Sequence, residues 1–155
     1  MVAYRLGHQL TKTNKMVKFL GLPFYLLLER RCRTKWGIEI SKSAKIGPGF
    51  YIGHFGGITI APAAVIGENC NISQQVVIGV SGQGKKAGVP RIGNNVFVGP
   101  GAKLFGAISV GDNAKIGANA VVHKDVPDNA IVVMSPGFEI RSFAGNSPQI
   151  AQQTD

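Results

Sequence analysis

The sequence predicts an all-β chain, a parallel β-helix of six-residue repeats preceded by a short α-helical segment. Three observations carry that reading. Fourteen aliphatic residues fall into three runs of strict six-residue spacing, and a column of small apolar residues precedes most of them by two positions. Glycine, at 21 of 155 residues, is about twice its usual share of roughly 7%.

The runs are Ile40, Ile46, Ile52, Ile58; then Ile60, Ile66, Ile72, Ile78; then Ile92, Val98, Leu104, Val110, Ile116, Val122. The leading column is Ala44, Ala64, Cys70, Val76, Val96, Ala102, Ala114 and Ala120. A helix would space its apolar residues by three and four, and a hairpin sheet would alternate without a fixed corner. A six-residue period instead suits short strands joined by corners, three to a coil of roughly eighteen residues. Ile92 then stacks on Val110, Val98 on Ile116 and Leu104 on Val122. The residue after each aliphatic is usually small (Gly47, Gly67, Ser73, Gly93, Gly111, Gly117), which is expected of residues turning tight corners.

Taken in order, residues 1–37 form the helical segment and hold eight cations against Glu29 alone, out of 17 cations and eight acids in the chain. The basic excess therefore belongs to this segment, and its partner should be sought there. Residues 16–28 are strongly apolar but number only thirteen, against about twenty needed to span a bilayer. Pro23 should kink or start a helix there. Two fates are open: the stretch caps the open end of the β-helix and buries its apolar face, or residues 12–35 make a peripheral membrane contact. No aromatic series or recognised motif supports nucleic acid as the partner.

The repeat body covers residues 38–137, and residues 138–155 read as a C-terminal tail. Cys32 and Cys70 are too few for a disulfide framework, which points to a reduced, cytoplasmic compartment, the inner membrane surface included. Cys70 falls in the small column and should pack in the core. A metal site would need several histidines in register, and of His8, His54 and His123 only one sits at a feature of the repeats. No metal is expected, and His8 and His123 are assigned no role.

The period breaks twice, and extra residues in a stacked coil must bulge outward where ligands reach them. The phase shifts by two between Ile58 and Ile60, just after Gly53-His54-Phe55-Gly56-Gly57. Ile78 and Ile92 are fourteen apart, two more than two hexads, across residues 80–90, which should form an exposed loop over the ligand site.

Residues 38–137 resemble the serine O-acetyltransferase branch of the hexapeptide-repeat acyltransferases. The resemblance is carried by Ile38-Glu39-Ile40, Ala44-Lys45-Ile46-Gly47-Pro48-Gly49, His54, Val77-Ile78-Gly79, Val89-Pro90-Arg91-Ile92-Gly93, Val98-Gly99-Pro100-Gly101-Ala102-Lys103, Ala114-Lys115-Ile116-Gly117-Ala118 and Val126-Pro127. It implies a left-handed coil, a homotrimer with sites between subunits, and acetyl-CoA as cosubstrate. His54 matches the family's general base, a role suited to an imidazole because that group titrates near pH 6.5 or so. Glu39 takes the place of a carboxylate, normally Asp, that orients the base. For CoA the resemblance implies Gly79, Ser81, Pro100, Lys115 and Ala118, with Lys103 as an added phosphate contact.

The chain also departs from serine acetyltransferases. Gly88 and Val89 stand where their loop carries an Arg-His pair, Gly53 where they carry an Asp, and only about 37 residues precede the repeats. A site without those groups should hold free serine poorly. The opening Val2-Ala3-Tyr4-Arg5 and the Ile-Glu-Ile strand look more like small exopolysaccharide and colanic-acid-type O-acetyltransferases. The resulting expectation is acetyl transfer to a sugar hydroxyl in surface polysaccharide synthesis. Serine O-acetylation and a non-catalytic β-helix scaffold are the alternatives.

Overall fold

A computed structural model describes residues 1–81 and 87–134. The centre of the 80–90 loop, the exit from Ser135 onward and the expected tail lie outside the described residues. Two helices, α1 (Val2–Lys12) and α2 (Lys15–Trp36), precede fourteen short strands. These are β1 (Ile38–Ile40), β2 (Lys45–Ile46), β3 (Tyr51–Ile52), β4 (Ile58–Ile60), β5 (Val65–Ile66), β6 (Asn71–Ile72) and β7 (Val77–Gly79), followed by β8 (Arg91–Ile92), β9 (Phe97–Val98), β10 (Lys103–Phe105), β11 (Ser109–Val110), β12 (Lys115–Ile116), β13 (Val121–Val122) and β14 (Ile131–Val132).

Strands three apart in sequence pair in parallel, except that β14 follows β12 directly, and form three faces: β1-β4-β7-β10-β13 (face A), β2-β5-β8-β11 (face B) and β3-β6-β9-β12-β14 (face C). This is the left-handed parallel β-helix. The expected stacks are all present, with Ile92 opposite Val110, Val98 opposite Ile116 and Leu104 opposite Val122. The aliphatic ladders and the small column together fill the core: Ile60, Ile78, Leu104, Ile116, Ala44, Val76 and Ala114 are all at most 1% exposed. Cys70 is buried among them, its thiol pointing at the Gly93 carbonyl 3.1 Å away, and burial pushes its pKa up.

The coils differ in length at the two breaks. Ile38 pairs with Ile58 and Lys45 with Val65, twenty residues on; Ile60 pairs with Ile78, eighteen on. Ile66 pairs with Ile92, twenty-six on, so the second insertion adds eight residues to one ordinary hexad and not two residues to two hexads. The fourteen-residue step fits both arithmetics; only the pairing separates them.

The glycine column has another cause than the one expected. None of Gly47, Gly67, Gly93, Gly99, Gly111 or Gly117 has a positive φ. They are small because the next coil lies against them: a Cβ on Gly47 would stand 2.6 Å from the Gly67 carbonyl oxygen, and one on Gly99 2.9 Å from the Ala118 nitrogen. The left-handed corner residue comes two positions later, at Asn69, Asn95, Asn113, Asn119 and Asn129, at Gly49 and Gly101, and also at Ala63 and Gln75. Asparagine tolerates this conformation by local hydrogen bonding. Along the corner between faces B and C it also stacks, Asn95 Nδ2 donating to Asn113 Oδ1 at 3.2 Å and Asn113 Nδ2 to Asn129 Oδ1 at 3.1 Å.

The first coil has no coil beneath it, and α1 takes that place. The Tyr4 hydroxyl donates to the Ala44 carbonyl (2.9 Å) and accepts from the Ile46 N–H (3.1 Å), while Arg5 donates to the carbonyls of Ile46 and Gly47 at 2.9 and 2.6 Å. His8 Nδ1 lies 3.0 Å from the Lys42 carbonyl, a structural role the sequence did not disclose. Tyr4 is buried, and burial raises its pKa above the ordinary value.

α2 rests on α1 where glycines permit it: a Cβ on Gly7 would run into the Tyr25 ring, and one on Gly21 would stand 2.8 Å from Leu10 Cδ2. The helix starts on Asn14, whose side chain accepts from the Val17 N–H, and stops at Gly37 with φ 58°. It runs through Pro23 without interruption. α1 thus supplies the hydrogen-bonded cap and α2 packs beside β1, while the apolar stretch 16–28 leaves most of its side chains exposed.

Candidate active site

His54 stands on the first insertion, at the corner where face C turns into face A. Its loop needs glycine: Gly56 and Gly57 have φ of 107° and 65°, and the αL residue that ends α2, Gly37, lies so close that its Cβ would be 3.0 Å from the Gly57 nitrogen. The helix terminus and the insertion therefore fit together only as backbone against backbone. Ile58 N–H donates to the Gly37 carbonyl at 2.9 Å, and Gln75 N–H to the Gly56 carbonyl at 2.7 Å. These bonds fix the outgoing end of the bulge, the Gly53 N–H donating to the Ile72 carbonyl at 2.9 Å holds the incoming end, and the His54 imidazole is left exposed at the surface.

Glu39 projects from the middle of β1, opposite Thr59. It is exposed, and among the described residues no hydrogen bond or ion pair joins it to His54. The two share the first coil, since Ile38 pairs with Ile58 four residues beyond the imidazole. Glu39 and Gly79 line one groove along face A together with Thr59 and Val80, and Tyr25 and Glu29 of α2 form its side wall. A second groove, lined by Trp36, Tyr51, Gly53 and Phe55, flanks the insertion from the side of face C.

The positions matched to CoA divide into three places. Pro100 and Ala118 stack at the corner that carries His54, with Asn119 N–H donating to the Pro100 carbonyl at 2.8 Å. Lys115 is exposed on face C between Phe97 and Ile131. Gly79 and Ser81 lie at the far end of face A, about 13 Å of strand from the His54 corner at ~3.3 Å per residue. There Ser81 and Gly88 exchange backbone hydrogen bonds of 2.9 and 2.8 Å and close the base of the eight-residue insertion. Lys103 is already engaged: its ammonium donates to the carbonyls of Gln75 and Gly101, both at 2.9 Å.

Gln75 is the residue that sequence reasoning missed. Its N–H holds the His54 loop, its carbonyl holds Lys103, and its own φ of 59° places it at the corner. Two further polar groups sit on this side of the molecule, Asn71 Oδ1 and Gln74 Oε1, both buried with no hydrogen-bond partner among the described residues. A buried acceptor left unpaired costs about 1–3 kcal/mol, so each is a place where an outside donor would be welcome. His123, assigned no role from the sequence, stacks on Phe105 with ring centroids 6.3 Å apart.

A left-handed β-helix of six-residue repeats behind two helices defines the class, and residues 90–124 match the family described as bacterial transferase hexapeptide (six repeats). Over 138 residues the chain is 41% identical to the serine acetyltransferase of Helicobacter pylori (strain ATCC 700392 / 26695), covering 87% of this chain and 75% of that one. It is 40% identical over 139 residues to the serine acetyltransferase of Synechococcus elongatus, covering 88% of this chain and 54% of the relative. Among solved structures, the serine acetyltransferase of Brucella abortus strain S19 superimposes with a TM-score of 0.72 at 32% identity, over 86% of this chain and 52% of that one. The chain belongs to the serine acetyltransferase family of hexapeptide-repeat transferases.

These relatives overturn the expectation of a sugar acceptor and of an exopolysaccharide-type enzyme. The structure shows why the sequence misled. Tyr4 and Arg5, which suggested the sugar enzymes, cap the first coil and say nothing about an acceptor. Gly88 has φ 144°, and a Cβ there would stand 2.9 Å from Ala107 Cβ, so packing accounts for the glycine in place of a loop arginine or histidine.

Proposed function

We propose that the protein is an acetyl-CoA-dependent serine O-acetyltransferase with His54 as its general base. Support comes chiefly from one conjunction: an exposed imidazole on a backbone-clamped insertion, in a chain 41% identical to a serine acetyltransferase over 138 residues. Acetyl-CoA supplies the acetyl group as a thioester. His54 takes the proton from the serine hydroxyl as that oxygen attacks the thioester carbonyl. The carbon–sulfur bond then breaks, and the imidazolium returns its proton to the departing thiolate. The products are O-acetylserine and free CoA, and His54 ends the cycle neutral.

Glu39 serves as the orienting carboxylate once substrate draws the imidazole over β1, because apo geometry commonly leaves such hydrogen bonds unmade. Gly79, whose missing side chain keeps the groove floor open, and Ser81 receive one part of CoA; Pro100, Ala118 and Lys115 receive another. The separation of these groups across face A favours a homotrimer in which each cleft draws residues from two copies, with Asn71 and Gln74 as acceptors for the neighbouring copy or the substrate. Lys103, bound to two carbonyls, holds the corner in shape.

The test is a thiol-release assay with acetyl-CoA and serine. Wild type should release CoA only when serine is present, and His54→Ala should lose about 10²–10⁴-fold in rate with its melting temperature unchanged. Full turnover by His54→Ala would refute the base, and no release with serine would refute the acceptor.

A further inference from the structure

We propose that α2 lies on an anionic membrane surface, with its outward apolar face in the headgroup boundary and its arginines against lipid phosphates. The inner side of α2 is set by Gly21, Tyr25, Leu28, Glu29 and Cys32, the positions buried or half-buried against α1 and the first coil. At 3.6 residues per turn, the opposite side carries Met16, Phe19, Leu20, Phe24, Leu26 and Leu27, all within roughly 80° of the direction away from Tyr25. These six are 50–79% exposed, a concentration that a solvated helix does not carry without a partner.

The helix cannot slip round to bury them. Tyr25 is locked against Gly7, and α1 is tied to the first coil through Tyr4 and Arg5. Nor can it cross a bilayer: no described helix is long and apolar enough, and residues 16–27 extend only about 18 Å against ~30 Å of hydrocarbon. Lying in the plane of the interface is what remains for a short apolar face of fixed direction.

Charge selects lipid over a second copy of this helix. Arg30 and Arg31 follow the apolar residues on the same outward side, with Arg33 and Lys35 beside them. The single acid of the segment, Glu29, faces inward and lies 4.0 Å from Arg33. Two copies packed through this face would set those arginines against each other if parallel and against the Lys15 end if antiparallel, in neither case against a carboxylate, whereas a leaflet of anionic lipid offers phosphates to every one. The inference does not depend on the acceptor or on His54.

The experiment is co-sedimentation of the full chain with phosphatidylcholine vesicles, with and without phosphatidylglycerol. Binding should be at least tenfold stronger to the anionic vesicles and fall with added salt. Replacing Arg30, Arg31 and Arg33 by Ser should weaken it about fivefold per arginine. The double variant Phe19→Ser/Leu20→Ser should lose binding to both vesicle types, while its acetyl-transfer rate in solution stays at the wild-type value. Absent binding, or equal binding to neutral and anionic vesicles, would overturn the proposal. So would concentration-dependent self-association, seen by sedimentation velocity and abolished in Phe19→Ser/Leu20→Ser, because it would give the face to a second copy.

Discussion

Two corners of the same coil are built to opposite ends. Between faces B and C every coil turns in the same number of residues, and Asn69, Asn95, Asn113 and Asn129 repeat one left-handed conformation, the last three with their amides in a ladder. Beside them, Asn94, Asp112 and Asp128 each accept a backbone N–H from the coil before, at 2.7–2.8 Å. Between faces C and A the corner is interrupted at the first coil by the His54 bulge, and its column changes from Gly57 to Gln75, Gly101 and Asn119. Repetition serves stacking, and a break in it exposes a side chain that stacking would otherwise use.

If the two corners divide the labour in this way, substitutions should separate stability from activity. The largest expected effect is that of His54→Ala, which should leave thermal unfolding unchanged while activity collapses; a large drop in melting temperature would make the bulge part of the stack. Next comes Asn113→Val, which forces a β-branched residue to φ 59° and removes two ladder bonds. It should cost about 2–3 kcal/mol in denaturant unfolding and leave the turnover of the folded enzyme near wild type.

Lys103→Met tests the seam between the two. Loss of bonds to the Gln75 and Gly101 carbonyls should lower stability by about 1–2 kcal/mol and lower kcat more than it raises the KM for acetyl-CoA. A rise in that KM alone would make the ammonium a phosphate contact instead. The smallest effect belongs to the corner between faces A and B, where Ala63 holds φ 61° without a side chain suited to it. Ala63→Asn should stabilise the protein by about 0.5–1 kcal/mol, measured as a shift in the urea midpoint at constant slope.

The core was legible because it repeats: six-residue spacing in Ile92 through Val122 named both the interior residues and their stacking partners. His54 was legible because it breaks that repeat. What stayed hidden depends on contacts distant in sequence. No local pattern shows that Tyr4 reaches Ala44, or that a Gly47 side chain would strike Gly67. A fourteen-residue step is the same whether the coil gains two residues or eight, so the size of the second insertion had to come from pairing. The corner asparagines are legible only in part, Asn113 and Asn119 six apart and Asn95 and Asn113 eighteen apart, because Gln75 and Gly101 interrupt the column, whereas the glycines two places earlier recur more regularly. Acceptor identity is not legible in Tyr4, Arg5 or the missing side chain at Gly88, because these positions answer to packing.

The α1 cap also bears on how the molecule keeps to itself. A parallel β-helix is open at its ends, and a bare end is a template on which another chain can continue the stack indefinitely. Tyr4 and Arg5 occupy the carbonyls of Ala44 and Ile46, whose counterparts Ala64 and Ile66 accept the ladder bonds of the coil before, and Arg5 and His8 hold the neighbouring carbonyls of Gly47 and Lys42. Burial holds the Tyr4 hydroxyl protonated beyond its ordinary range, so the stability it contributes is full below about pH 10 and is lost as pH rises through the higher folded value. α1 is in this sense a stopper against fibre formation. Cutting away residues 1–12, or taking the protein to strong alkali, should turn a finite particle into a seed for filaments, visible as light scattering that grows with time.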